Sequence, residues 1–285
     1  MPSGFFLKWL IEMDQDRLKF TILGCGSSPG VPRPNGDWGD CDPNNPKNYR
    51  SRSSMLVEKI SDDGKKTTVI IDTGPDFRAQ MLMAKVKHID GVVYTHGHAD
   101  HIHGIDDLRS FVMSQHELMA IYADKHTLKR LNEGFGYCFK TPEGSSYPPI
   151  LEEREIIPYQ SFQIFGEGGA IEFLPLTQIH GDICSLAFRI GSVAYCTDVN
   201  QFPNATSGRL ENLDVLIIDA LQYRPHPSHF CVAEALEWIK VLRPRRAILT
   251  HMHVRLDYKS LIGALPENVE PAFNGLTFEL AIGRA

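Results

Sequence analysis

Seven consecutive residues, Thr95-His96-Gly97-His98-Ala99-Asp100-His101, leave this chain little freedom. They follow directly on the short apolar run Gly91–Thr95, which reads as a buried strand. In an extended chain, residues two apart point to the same side, so His96 and His98 can grip one ion. Gly97 between them permits a tight turn. Asp100 and His101 come where the chain begins a new turn. They point elsewhere, toward a second position. Four ligands in so short a stretch do not sit comfortably around one tetrahedral ion, and two ions sharing the segment is the natural solution. Three imidazoles and a carboxylate crowded at a strand end would gain little as structure alone. Four residues do not complete two sites, so further donors are needed. His180, Asp198 and His251 each stand where a strand of the second half gives way to a loop.

Short apolar runs and their punctuation place the remaining elements. Arg17–Leu23 alternates and ends at Gly24. Ser54–Ile60 and Thr67–Asp72 flank Asp63-Gly64, a hairpin signal. Later strands are expected over Ala170–Leu176, Ile183–Ile190, Val193–Thr197, Leu213–Asp219 and Ala247–Thr250, with a turn at Gly191-Ser192. Helices are expected over Phe77–Lys85, Lys125–Glu133 and Ser228–Leu242. The last repeats its apolar residues three and four apart and is closed by Pro244. Hairpins in each half with helices between them imply an α+β protein. The expected architecture is a four-layer αββα sandwich, with two mixed sheets face to face and helices outside. No repeat is visible, which excludes solenoids and propellers. Residues 17–285 read as a single domain. The preceding 1–16 reads as a short extension, because its patch Phe5–Ile11 lacks the basic start and small-residue cleavage site of a secretion signal. Gly24–Arg52 and Gly134–Pro149 read as long irregular segments, the kind that carries function or moves.

Composition removes other classes. The six cysteines form no C-x-x-C pair, so zinc ribbons and thioredoxin-type chemistry are excluded, and reduced thiols in a cytoplasmic protein are expected. No run reaches the ~20 apolar residues that span a bilayer, and no membrane association is expected. The 29 basic and 35 acidic residues give a net charge of −6, which argues against bulk binding of nucleic acid. The basic spot Arg243-Pro244-Arg245-Arg246 reads as a solvated helix end.

An H-x-H-x-D-H element, then a distant histidine, an aspartate and a last histidine, each after a strand, resembles the pattern of the metallo-β-lactamase superfamily. The resemblance runs over nearly the whole chain, and its fold is the sandwich expected above. It implies one ion held by His96, His98 and His180, a second held by Asp100, His101 and His251, and Asp198 bridging the two. It implies two divalent ions, zinc first and manganese close behind. Asp72, in Ile70-Ile71-Asp72-Thr73-Gly74, matches an early strand-end aspartate that supports the histidine loop without touching metal. Within the superfamily the chain looks most like the branch of PhnP-like phosphoribosyl cyclic phosphodiesterases. The segments Gly24–Pro32, His98–Arg109 and Ile248–His253 carry that likeness. So does His229, placed at the start of the last large helix, where that branch and the tRNA 3′-end processing nucleases carry a catalytic histidine. Two features depart from the branch. Its cysteine cluster holds an additional structural zinc, whereas Pro34–Pro43 offers only Cys41, which puts that zinc in doubt here. And both His251 and His253 stand in the last motif. His251, directly after its strand, is favoured, with His253 as the alternative ligand or a supporting group.

Two divalent ions about 3.5–4 Å apart can hold one water between them and lower its pKa toward ~7. The resulting metal-bridging hydroxide would attack an electrophilic centre. Asp100 and His229 are the catalytic candidates. His229, or less favourably His226, would serve the leaving oxygen, and Tyr223, Arg224 and Ser228 are possible phosphate contacts or loop packing. Two dications, two carboxylates and a hydroxide leave a site with about one net positive charge, which suits a phosphodiester. The expected activity is therefore a dinuclear metal-dependent phosphodiesterase acting on a small cyclic or nucleotide-like phosphodiester, in a protein that could be a homodimer. The alternatives are a tRNA 3′-processing-type endonuclease, which usually carries a basic arm not evident here, and a thioester hydrolase of the glyoxalase II type. His103 could stack near the site; His88, His116 and His126 read as ordinary residues.

Overall fold

The computed structural model describes residues 16–282. The extension read over 1–16 thus lies, apart from Asp16, outside the described residues. Strands β1 (Arg17–Gly24), β2 (Ser54–Ile60) and β3 (Lys66–Ile71) form an antiparallel meander. Its second turn is Asp63-Gly64, where Gly64 takes the positive φ that a hairpin turn requires. Helix α1 (Phe77–Ala84) crosses over to β4 (Gly91–Val93), parallel to β3. Three helices, α2 (Ala99–Ile102), α3 (Arg109–Gln115) and, after β5 (Met119–Ala123), α4 (Lys125–Phe139), lead to β6 (Leu151–Glu155), and β4, β5 and β6 run parallel.

The second sheet repeats this plan. Strands β7 (Phe162–Ile164), β8 (Ile171–His180), β9 (Ile183–Ile190) and β10 (Val193–Cys196) are antiparallel. After the short α5 (Asn204–Ser207), β11 (Val215–Asp219) lies parallel to β10. Helix α6 (Val232–Leu242), β12 (Arg246–Thr250), α7 (Tyr258–Ile262) and β13 (Val269–Pro271) extend the parallel part. Strand β14 (Thr277–Ala281) then returns to the first sheet beside β1. The result is two mixed seven-stranded sheets, ordered β14-β1-β2-β3-β4-β5-β6 and β13-β12-β11-β10-β9-β8-β7.

Side-chain alternation shows the four layers. Val69 and Ile71 of β3 enter the core between the sheets with Phe173, Leu186 and Phe188. Ile70, between them in sequence, enters a second core with Phe77, Met81, Ile105 and Leu128 of the covering helices. Both faces of the strand are buried, so the run is apolar throughout. On the other side, Val232, Ala235, Ile239 and Leu242 of α6 cover the second sheet.

Several sequence expectations shift. Helix α4 continues through Gly134–Phe139, so the irregular segment begins only at Lys140. Buried Cys138 extends the apolar face begun by Leu128 and Leu131, across an irregular turn at Phe135. Helix α6 starts at Val232 and not at Ser228. Its N-cap is Cys231, whose N–H donates to the Glu234 carboxylate at 2.8 Å. The preceding residues are extended because backbone bonds tie Phe230 to Val199 and Leu221. His229 therefore sits in the loop before the helix.

The long segment after β1 is pinned by Arg50, which is buried. Its guanidinium donates to the carbonyls of Leu256 at 2.6 Å and His253 at 3.4 Å, joining this segment to the chain that follows β12. The C-terminal ends of β3, β4, β8, β10, β11 and β12 thereby meet at one edge of the sandwich. Loops leaving the carboxyl ends of strands are where open α/β sheets place their ligands.

Candidate metal centre

Two groups of donors form at that edge. His96 and His98 follow β4, and His180 is the last residue of β8. His98 Nδ1 lies 3.0 Å from His96 Nε2 and 3.3 Å from His180 Nε2. The second group is Asp100, His101, Asp198 and His251. His101 Nε2 lies 3.4 Å from Asp100 Oδ2 and 3.3 Å from Asp198 Oδ2. Asp198 belongs to both neighbourhoods. Its Oδ1 is 3.9 Å from His96 Nε2 and 3.8 Å from His180 Nε2, while Oδ2 faces His101 and His251. Within each group the donor atoms lie inside 4.8 Å of one another. A third such group is His180, Asp198 and His229.

The donors fit a cation. Asp100 Oδ2, His101 Nε2 and His251 Nε2 are buried and have no hydrogen-bond partner among the described residues. Leaving a buried polar atom unsatisfied costs about 1–3 kcal/mol each, so three together point to a missing electrophile. Imidazole nitrogens with carboxylate oxygens suit zinc and its first-row neighbours.

Four of the five donor rings are held from behind. His101 Nδ1 donates to Asp72 Oδ2 at 2.7 Å, and Asp72 also accepts the Thr95 N–H and hydroxyl, both at 2.8 Å. His180 Nδ1 donates to the Ser228 carbonyl at 2.6 Å. His96 Nδ1 donates to Thr95 Oγ1 at 3.0 Å. These bonds leave the opposite nitrogen of each ring as the lone pair facing the group. His251 Nδ1 lies 3.1 Å from Ser53 Oγ. Three residues here, Asp72, Asp198 and His251, take φ of +63°, +53° and +56°. Such backbone costs about 1–3 kcal/mol per residue and persists only where the surroundings impose it. Gly74 is fixed by a close approach, because a Cβ there would collide with the Asp100 carbonyl oxygen.

Charge is polarised inside the metal-free centre. Burial works against the ionised form of His101, yet Asp198, Asp100 and Asp72 hold its pKa well above the ordinary value. Burial likewise opposes the Asp198 carboxylate, but His251 and His101 hold it well below the usual range. Burial, reinforced by His101, keeps His96 well below the usual imidazole value and hence neutral. Replacing Asp72 with asparagine tolerates the same backbone but removes the acceptor charge behind His101. Metal affinity should fall about 10–100-fold, read by competition with a chromophoric chelator. An unchanged affinity would show that His101 needs no such support.

His229 stands over both groups. Its ring stacks on His251 at 4.7 Å between centroids and meets His180 edge-on at 4.6 Å. Its Nδ1 donates at 2.6 Å to Oδ2 of Asp219, the last residue of β11, which also accepts the Val199 N–H at 3.0 Å. Burial pushes the Asp219 carboxyl well up, and burial holds His229 below its usual value. Asp219 escaped the sequence reading, although Leu216-Ile217-Ile218-Asp219 has the same form as Val69-Ile70-Ile71-Asp72.

The other singled-out residues separate. His253 turns away from both groups, with Nε2 2.6 Å from Arg33 Nη2. His103 is exposed and lies edge-on to Phe135. His226 packs 5.3 Å from the His229 ring and bonds the Ser228 hydroxyl. Tyr223 and Arg224 line a separate pocket of about 320 Å³ with Asp40, Gln222 and Arg255. Among the described residues, no helix is long and apolar enough to cross a membrane.

Comparison with known proteins adds four findings. The family model described as the beta-lactamase superfamily domain matches residues 67–252. A solved structure described as a new diphosphatase from the PhnP family is 34% identical, with a TM-score of 0.83, and the match covers 93% of this chain and 97% of that one. The short form of human tRNase Z shares the fold at 16% identity and a TM-score of 0.63, covering 91% of this chain and 98% of that one. A curated relative, an octanoyltransferase from Porphyromonas gingivalis, is 31% identical over 264 residues, 91% of this chain and 51% of that protein. The chain thus spans about half the length of this relative.

Proposed function

The chain belongs to the beta-lactamase superfamily, in its PhnP family, and on that premise we propose that this metal-dependent hydrolase cleaves a small cyclic or nucleotide-like phosphodiester. The observation that carries this reading is the His229–Asp219 pair, set against His180 and His251. His96, His98 and His180 would hold one divalent ion; Asp100, His101 and His251 would hold another; Asp198 would lie between them. Zinc is the first candidate and manganese the second. When bound, such ions polarise phosphoryl oxygens and make water acidic enough to attack at neutral pH.

The chain's own residues do the rest. Asp198 offers one oxygen to each group and so fixes their spacing. The Ser228 carbonyl and Asp72 keep His180 and His101 in a single tautomer and orientation. His229, anchored at Nδ1, has no protein partner at Nε2 among the described residues and can hold a proton there. A departing alkoxide oxygen needs that proton, and Asp219 steadies the ring through the transfer.

The similarity to a diphosphatase supports a second reading, a diphosphate linkage. Its phosphorus also carries two bridging oxygens, so the same displacement applies, with a phosphate leaving group that depends less on the His229 proton. A thioester is less well served, because a thiolate leaves without a proton and would leave His229–Asp219 unused. The net charge of −6 continues to argue against a tRNA precursor.

The test is metal analysis combined with a screen of cyclic ribose phosphate, bis-p-nitrophenyl phosphate and linear diphosphates on one purified sample. Turnover of at least one phosphoester is expected, abolished by a chelator and restored by zinc or manganese. Hydrolysis of S-lactoylglutathione well above every phosphoester would overturn the proposal.

A further inference from the structure

Helix α4 runs beside the histidine segment and leads from it to a second cleft. At the near end, a Cβ at Gly97 would lie 3.1 Å from Arg130 Cγ and 3.9 Å from Thr127 Cα. Further along, the His103 ring meets Phe135 at 5.8 Å. At the far end, Cys138 Sγ donates to Asp106 Oδ1 at 3.5 Å. There, Arg109, Tyr137, Pro142, Ser145, Tyr147 and Pro148 line a cleft of about 290 Å³. Two aromatic rings stand open in it, Tyr137 at 45% exposure and Tyr147 at 75%. The Arg109 guanidinium donates to Asp106 at 2.7 Å at the same end. Exposed tyrosines beside a guanidinium form a stacking platform for planar bases. The long segment after α4 supplies four of these six residues, Pro142, Ser145, Tyr147 and Pro148.

The distance selects among substrates. From Thr127 to Gly134, at 1.5 Å per helical residue, is about 10 Å, and the cleft lies beyond the irregular turn at Phe135. A bare cyclic ribose phosphate does not reach from the metal ligands to the cleft. A base set off from the reacting phosphorus by a ribose and a second phosphate comes much closer.

We propose that the cleft of Arg109, Tyr137 and Tyr147 is a nucleobase subsite, and that the substrate is a nucleotide whose base lies beyond a diphosphate bridge. This rests on the phosphoester reading of the metal centre. In the reaction, the oxygen of one water bonds to one phosphorus and the bridging P–O bond breaks. The bridging oxygen departs with the bond pair, and the two protons of the water end one on each phosphate product.

The experiment compares ADP-ribose with P1,P2-dimethyl diphosphate, which has the same linkage and no base. The wild-type protein should prefer ADP-ribose, and Tyr147→Ala should lower that preference about ten-fold through KM, the size of one base–aromatic contact. Tyr147→Phe, which keeps the ring, should retain the preference. Binding of AMP, followed by saturation-transfer NMR, should weaken about ten-fold in Tyr147→Ala. Unchanged preference and unchanged AMP binding in both Tyr147→Ala and Tyr137→Ala would overturn the subsite. Failure of the parent reading looks different: no phosphoester is cleaved by the wild-type protein, yet AMP still binds and Tyr147→Ala still weakens it.

Discussion

Replacing Asp198 with alanine should lower phosphoester turnover by more than about 10³-fold and cut bound metal below the wild-type content. The expectation follows from where its two oxygens point. Oδ1 sits 3.8–3.9 Å from the nitrogens of His180 and His96, and Oδ2 sits 3.2–3.3 Å from those of His251 and His101. Among the described residues, no other carboxylate lies within 4 Å of a histidine in each group. Removing one fixed hydrogen-bond donor from an oxyanion site typically costs 10²–10³ in rate, and here a charge shared by two sites is lost. Without that carboxylate, two buried groups of imidazoles face each other with less negative charge between them, so binding two dications becomes costlier. Asparagine restores the shape and the left-handed backbone but not the charge. It should recover folding stability and little activity. Metal content by mass spectrometry and turnover of bis-p-nitrophenyl phosphate check both statements. A variant with wild-type metal content and full turnover would remove Asp198 from the centre.

The legibility of this site in the sequence depended on how local each contact is. The segment His96–His101 could be read directly, because strand geometry and a single turn place its donors with no help from the rest of the chain. His180, Asp198 and His251 were visible only as an ordered set at strand ends, and the fold gathers them with the first four. Asp219 was not visible. It reaches His229 through the return of the chain across Val199 and Leu221, a contact that no spacing reveals. The choice between His251 and His253 needed coordinates for the same reason: Arg33, far away in sequence, draws His253 aside. Strand β6, Leu151–Glu155, shows only one buried residue and a run of charges, because it is an edge held by β5 alone. Strand β14 pairs with β1 from the opposite end of the chain, so no local pattern announces it. The early start expected for α6 was a fair reading of Phe230, which is apolar and in phase. Its backbone is instead spent on Val199 and Leu221.

His229→Ala should separate proton donation from metal binding. No donor of His229 is needed to complete His96–His98–His180 or Asp100–His101–Asp198–His251. Bound metal should therefore stay at the wild-type level. Turnover of a substrate that expels a sugar or alkyl alkoxide should fall about 10²–10⁴-fold, the range for loss of a general acid. The fall should be much smaller for p-nitrophenolate, which leaves without a proton. This dependence on the leaving group is the sharp part of the prediction, since a merely structural histidine would depress both substrates alike. Asp219→Asn should give the same pattern in weaker or comparable form. It keeps the size of the side chain but can present an N–H where His229 Nδ1 now donates, which favours the wrong tautomer. Equal losses for both leaving groups, with metal retained, would show that His229 shapes the pocket and leaves the proton to another group. His226, 5.3 Å from the His229 ring, would then be the residue to replace next.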